Sequence, residues 1–294
     1  MGGIAVVSNN VLSRSDKAFN AVLYLILAIA FLLCLLPLLY VVSVSITPYS
    51  EVLKNGGFIL IPKRITFEAY QIFWEDGHML SAYGVTIFIT VVGTALNIIL
   101  TLLLAYPLSK RNLPGQSFFM LYVLFTMLFS GGVIPKYLIV KNLGLIDSVW
   151  SLIFPIAIAP YNVILMRTFF RALPDELFEA SLIDGAGETR TLFKIAIPLA
   201  LPSIMTNVMF YGVMHWNTFM SALLYITDQD KQPLQVLLYG ILKGSEMVDS
   251  VDYTAPTETL KMTAVVLTAL PIIIVYPFIQ KYFTSGMLVG AIKG

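Results

Sequence analysis

The chain has 294 residues, of which 58% are hydrophobic and 12% charged, and its mean hydropathy is +0.84. Soluble domains carry about 25% charge, so this composition excludes one and indicates an integral membrane protein. The net charge of +1 gives no basis for binding nucleic acid, and the single cysteine, Cys34, rules out an intrachain disulfide and a cysteine-ligated zinc cluster.

Crossing a bilayer takes about 20 predominantly apolar residues. On that rule the chain is all-α, with six transmembrane helices over 19–46, 82–108, 118–139, 150–170, 197–226 and 260–283. They form one membrane domain, 19–283, between an N-terminal segment, 1–18, and a C-terminal tail, 284–294. Arg14, Asp16 and Lys17 precede the first apolar run and no small-residue cleavage site ends it, so the first span is expected to be retained. An even number of spans puts both ends on one side. Ten of the 18 lysines and arginines flank the spans on that side and eight on the other. The short 109–116 loop carries Lys110 and Arg111 with no acid, which makes that side cytoplasmic.

Pro62, Phe67, Tyr70, Phe73 and Trp74 in the 47–81 connection predict an extracytoplasmic segment resting at the membrane interface. In span two, Thr86, Thr90 and Thr94 recur every four residues with Asn97 close by, a hydroxylated face suited to helix–helix contact. Ser130-Gly131-Gly132-Val133-Ile134-Pro135 and Leu143-Gly144-Leu145-Ile146-Asp147-Ser148 interrupt helices, which at membrane depth requires surrounding protein or a cavity. Pro155 and Pro160, near Asn162, predict a kink in span four. Span five is the most polar, with Asn207, Tyr211, His215, Trp216, Asn217 and Thr218. Such residues face a bundle interior or a water-filled path. Tyr211, His215, Trp216 and Asn217 are candidates for a substrate path, because an aromatic platform beside hydrogen-bonding groups suits a sugar. Interhelical hydrogen bonding is the equal alternative. The 227–259 loop sets Asp228, Asp230, Glu246, Asp249, Asp252 and Glu258 against Lys231 and Lys243, as a solvated external loop would.

Between spans four and five lies a polar island, 171–202, that holds five of the 17 acidic residues: Asp175, Glu176, Glu179, Asp184 and Glu188. Pro174 at the first helical position, with acids in the following turn, starts a helix. Gly185 is able to take positive φ and close it, and Gly187 keeps the turn short. A second helical run from Glu188 carries Leu192, Phe193, Ile195 and Ile197, until Pro198 and Pro202 restrict the backbone.

Glu179-Ala180-Ser181, Asp184-Gly185-Ala186, Phe193, Ile195, Pro198 and Pro202 resemble the EAA loop of inner-membrane permease subunits of binding-protein-dependent ABC importers. Ser181 stands where that pattern has its second alanine, and Ile197 where it has leucine. The resemblance implies a cytoplasmic coupling helix between helices four and five. It implies that Glu179, Ala180, Ser181, Asp184, Gly185, Ala186 and Gly187 dock into a cleft of a separate ATPase. ATP and Mg would then belong to two ATPase domains, with no cofactor on this chain. A second permease subunit, an external sugar-binding protein and a bacterial inner membrane with both termini cytoplasmic complete the implied assembly. The Ser130 to Pro135 string followed by Leu143-Gly144-Leu145 is similar to the carbohydrate branch, including subunits for maltose and complex oligosaccharides. The tail is similar too, and implies contact of Gly290, Lys293 and Gly294 with the ATPase. The 227–259 loop would reach the binding protein.

The chain has no G-x-x-x-x-G-K-[ST] phosphate loop and no H-E-x-x-H, and its two histidines, His78 and His215, are far apart. No enzymatic role is therefore expected. A membrane-embedded glycosyl or lipid transferase would need a carboxylate pair or a metal cluster. A stand-alone secondary carrier would show inverted repeats, and no internal repeat is evident.

Overall fold

The computed structural model describes residues 14–75, 77–244 and 257–291, and these are helical with no strand among them. Lipid offers no hydrogen bonds, so a backbone that closes its own hydrogen bonds is the physical solution for so apolar a chain. In chain order the helices are α1 (Arg14–Ser45), α2 (Tyr49–Lys54), α3 (Glu68–Glu75), α4 (His78–Ser109), α5 (Gln116–Leu128) and α6 (Val133–Asn142). Two 3-10 turns, Val149–Leu152 and Phe154–Ile156, lead into α7 (Pro160–Ala172), α8 (Asp175–Ile183) and α9 (Glu188–Thr191). A π-helical turn over Leu192–Ala196 connects to α10 (Ile197–Leu199), α11 (Leu201–Trp216), α12 (Met220–Tyr225), α13 (Leu234–Gly244) and α14 (Glu258–Ala291).

Three of these helices are long and apolar enough to cross a membrane unaided: Lys17–Ser45, His78–Ser109 and Glu258–Val275. The expected third, fourth and fifth spans are not continuous. They are pairs bent by 110° between α5 and α6, by 50° ahead of α7 and by 81° between α10 and α11. The breaks fall at Gly132, whose φ is +85°, at the 157–159 segment before Pro160, and at Ala200 before Pro202. Glycine and proline at these points carry the turn. Apolarity alone does not report direction.

By contact the chain divides into two units. The first runs to Tyr70 and takes in α14 as far as Val266. Here the carbonyls left free at the end of α1 find donors. Thr263 Oγ1 donates to Ser45 O and Thr259 Oγ1 to Thr47 O, both at 3.1 Å. Val44, Val52 and Ile59 are buried beside Tyr40 and Met262. The expected interfacial connection is thus partly helical (α2 and α3), and Phe67 and Trp74 are exposed.

The second unit begins at Gln71 and is organised on α4, against which α7 and α11 pack. Thr86, Gly93, Thr94, Asn97 and Thr101 are buried along α4, and the hydroxylated face does meet helices. Small side chains let backbones approach. At Gly93 a Cβ would lie 2.5 Å from two atoms of the His215 ring of α11. One apolar cluster surrounds Ala105, Phe170 and Ala196 at one end of α4, and another surrounds Ile89, Leu152 and Tyr225 at the other. The expected solvated loop contains α13, with Leu234 and Val236 buried; Glu246, Asp249 and Asp252 lie outside the described residues. Helix α14 continues past the expected end of the sixth span and includes Gly290, whereas Lys293 and Gly294 lie outside the described residues.

Candidate functional site

The 171–197 segment folds as two short helices around a tight turn. Pro174 is the N-cap of α8 rather than its first helical residue, and Asp175 and Glu176 occupy the first turn, where negative charge meets the helix dipole. Gly185 takes φ +70°. Its N–H donates to Leu182 O and that of Ala186 to Ser181 O, both at 3.0 Å, which closes α8 as a Schellman motif. Gly187 is extended and caps α9.

Glu179, Ala180, Asp184, Gly185 and Gly187 are exposed and Ala186 is half-buried. Ser181 differs, being 4% exposed. Its hydroxyl shares a hydrogen bond of 2.7 Å with Thr191 Oγ1, so it clasps α8 to α9 from inside rather than standing on the outer face. A cavity of about 740 Å³ opens beside this knuckle, lined among others by Tyr106, Lys110, Pro114, Phe178, Glu188 and Phe193.

Glu188, Lys110 and Tyr106, the last not singled out by the sequence, hold the knuckle to the end of α4. Glu188 Oε2 accepts from Tyr106 Oη at 2.8 Å and lies 3.3 Å from Lys110 Nζ. The same ammonium is 4.1 Å from the centroid of the Phe178 ring on α8. The end of α4 is itself capped, because Leu108 O accepts from Arg167 Nε at 2.8 Å and from Gln116 Nε2 at 2.7 Å.

The polar residues of span five separate into kinds. Tyr211 is fully buried; its hydroxyl meets Thr101 Oγ1 at 2.7 Å and accepts from the Ala159 N–H at 3.1 Å. Asn97 Nδ2 donates to Ile156 O at 3.0 Å. These two side chains therefore satisfy main-chain groups freed by the break ahead of α7, as a broken helix in lipid requires. His215 is also fully buried, with Nε2 3.4 Å from Asn97 Oδ1. Trp216 is 7% exposed, and its indole N–H and His215 Nδ1 have no hydrogen-bond partner among the described residues. Asn217 is exposed, with Nδ2 bonded back to Val213 O.

At the opposite end of the unit Asp147 takes φ +57°, unusual for a residue other than glycine. Its carboxylate accepts from Thr227 N at 2.6 Å, Thr227 Oγ1 at 2.5 Å and Asp228 N at 3.0 Å. Those bonds, the Thr227 hydroxyl first, hold the Asp147 carboxyl below its usual range. The motif string containing Asp147 marked a helix break; its partner 80 residues away was not readable. No group of three or more His, Cys, Asp or Glu side chains able to hold a metal occurs among the described residues.

Residues 97–289 match the family described as binding-protein-dependent transport system inner membrane component. The chain is 41% identical over 285 residues to the polygalacturonan/rhamnogalacturonan transport system permease protein YtcP of Bacillus subtilis (strain 168), covering 95% of this chain and 99% of that protein. It is 42% identical over 287 residues to protein LplC of the same organism, covering 96% and 97%. Among solved structures it resembles a chain of a bacterial ABC transporter involved in the import of the acidic polysaccharide alginate, with a TM-score of 0.84, 33% identity and coverage of 92% of this chain and 98% of that one. The carrier and transferase alternatives fall with these likenesses: the chain belongs to the inner-membrane components of binding-protein-dependent transport systems, a transport permease and not an enzyme.

Proposed function

We propose that this permease forms half of the translocation path for an oligosaccharide in an ATP-driven importer. A second permease subunit, two cytoplasmic ATPase domains that hold ATP and Mg, and an external binding protein make up the rest. The observation that carries this reading is the full-length likeness to the polygalacturonan/rhamnogalacturonan permease together with the likeness to the alginate importer. Polymers of acidic sugars are the shared chemistry in those two names, so uronate-bearing oligosaccharides are the first substrates to test.

In this reading each bent pair is one span, making six, and α8 is the coupling helix between spans four and five. Both termini are cytoplasmic, with 1–18 and 284–294 flanking the membrane domain 19–283 and with 47–81 and 227–259 external. The ATPase cleft takes the exposed face of Glu179, Ala180, Asp184, Gly185 and Gly187 with Ala186 at its edge, while Ser181 keeps α8 and α9 together. Gly290, Lys293 and Gly294 contact the ATPase as well. Asn217 and the unpartnered indole of Trp216 meet the substrate, and Tyr211 and His215 set the wall behind them. ATP-driven closure of the ATPase domains moves the coupling loop, and the broken spans convert that movement into inward- and outward-open states.

Affinity purification of the tagged chain in mild detergent, with mass spectrometry of what accompanies it, tests the assembly. A phosphate-loop ATPase and a second six-span permease are expected. With Glu179→Lys both transport and the ATPase activity stimulated by the loaded binding protein should disappear while membrane insertion persists. Recovery of the chain alone after crosslinking, or unchanged uptake in that variant, overturns the reading.

A further inference from the structure

The knuckle touches more than the two spans that flank it, and the extra contact is to α4. Tyr106 and Lys110 sit one helical turn apart, and both reach the same Glu188 oxygen at the start of α9. Lys110 also faces the rings of Tyr106 and Phe178, so a single ammonium joins α4, α8 and α9. An exposed ion pair alone contributes little, but here one carboxylate oxygen takes a hydroxyl from the last turn of α4 and an ammonium from the residue that caps it. Toward the other end of that helix, Thr101 and Asn97 lie about 8 Å and about 14 Å along the axis from Tyr106. They hold Tyr211 and His215 of α11 and, through Asn97, the broken backbone ahead of α7.

We propose that Tyr106, Lys110 and Glu188 form a latch through which displacement of the coupling loop pulls on α4, and with it on the Thr101–Tyr211 and Asn97–His215 contacts. Tyr106 and Lys110 are positioning residues. They touch neither nucleotide nor substrate, and they set where the knuckle stands when the ATPase moves it. This inference rests on the coupling-loop reading above.

The test uses the whole importer in lipid nanodiscs with its loaded binding protein, and the readout is substrate moved per ATP hydrolysed. Tyr106→Phe and Glu188→Ala are each expected to lower that ratio three- to tenfold with the complex still assembled. The double variant should be no worse than Glu188→Ala alone, since removing the carboxylate already leaves the Tyr106 hydroxyl without its acceptor. Lys110→Glu should be equally poor, and Lys110→Glu with Glu188→Lys should recover at least half of the loss, which a general packing defect would not do. Ratios at the parental level, or losses that multiply in the double variant, overturn the latch.

Distances between spin labels at Asn112→Cys and Leu182→Cys, in a Cys34→Ser background, give a second measurement that needs no ATPase. The distribution should be narrow in the parent and broad in Tyr106→Phe and Glu188→Ala; equal widths overturn the proposal. Failure of the underlying reading looks different, as a parental chain that recruits no ATPase at all.

Discussion

Each end of the second unit is held by a carboxylate, and the two do so differently. Asp147 spends two of its three hydrogen bonds on main-chain N–H groups, those of Thr227 and Asp228. It thereby fixes the course of two loops. Among the described residues Glu188 accepts from side chains alone, those of Tyr106 and Lys110, and its side chain is 66% exposed. A bond to backbone survives only while the loop keeps its shape, whereas side chains on a rigid helix are able to let go without unfolding anything. One end is a brace and the other a catch. Damage between them, in the α4–α11 packing, should be felt at both, and damage at either end should stay local.

Gly93→Val breaks the comparison most completely. Its Cβ would overlap the ring of fully buried His215, and overpacking of this kind costs on the order of 3 kcal/mol. A large fall in the thermal midpoint of the purified complex is expected, with partial recovery in Gly93→Ala combined with His215→Ala. A midpoint equal to the parent would contradict the contact. Tyr211→Phe comes next, because it leaves the Ala159 N–H and the Thr101 hydroxyl without their partner, at about 1–3 kcal/mol. The same melt should show a smaller drop, and Thr101→Val added to it should restore part of the loss.

Gly185→Val acts at the catch end alone. Holding a side chain at φ +70° costs about 1–2 kcal/mol, and the midpoint should hardly change. The stimulated ATPase rate should fall at least tenfold, while Gly185→Asn, which tolerates that conformation, keeps most of it. The smallest effect belongs to Asp147→Asn. The depressed Asp147 carboxyl lends its stabilisation above the ordinary aspartate value of about 3.9, and loses it as pH falls through the lower folded value. A spin label at Gln229 should therefore stay immobile from neutral pH to about 4 and loosen only below that. In Asp147→Asn the pH dependence should vanish, with slight loosening at neutral pH; a label as pH-sensitive as in the parent would refute the assignment.

What was legible from the residues was local. The apolar runs, the threonine face of α4 and the Gly185 turn each announce themselves within about four residues, since each rests on helix period or backbone freedom. The break before α7 was signalled by Pro160 as a kink and the one before α11 by Pro202 as a restriction of the backbone, yet their depth was hidden, because the groups that make a full break tolerable come from elsewhere in the chain. Asn97 and Tyr211 are the instance: as isolated letters they suggested a sugar or a neighbouring helix, and they serve a severed backbone. Lys110 was visible only as a charge that sets orientation. Ser181 shows the reverse, since its motif position does not disclose that it is buried and hydrogen-bonded to Thr191 between α8 and α9.

Helix α4 has 32 residues and is thus about 48 Å long, against about 30 Å of hydrocarbon. In the six-span reading this rod is longer than the hydrocarbon layer, and a bilayer of different thickness is matched by tilting it. Since α7 and α11 pack against it, the proposed importer is expected to transport at different rates in membranes of short and of long acyl chains.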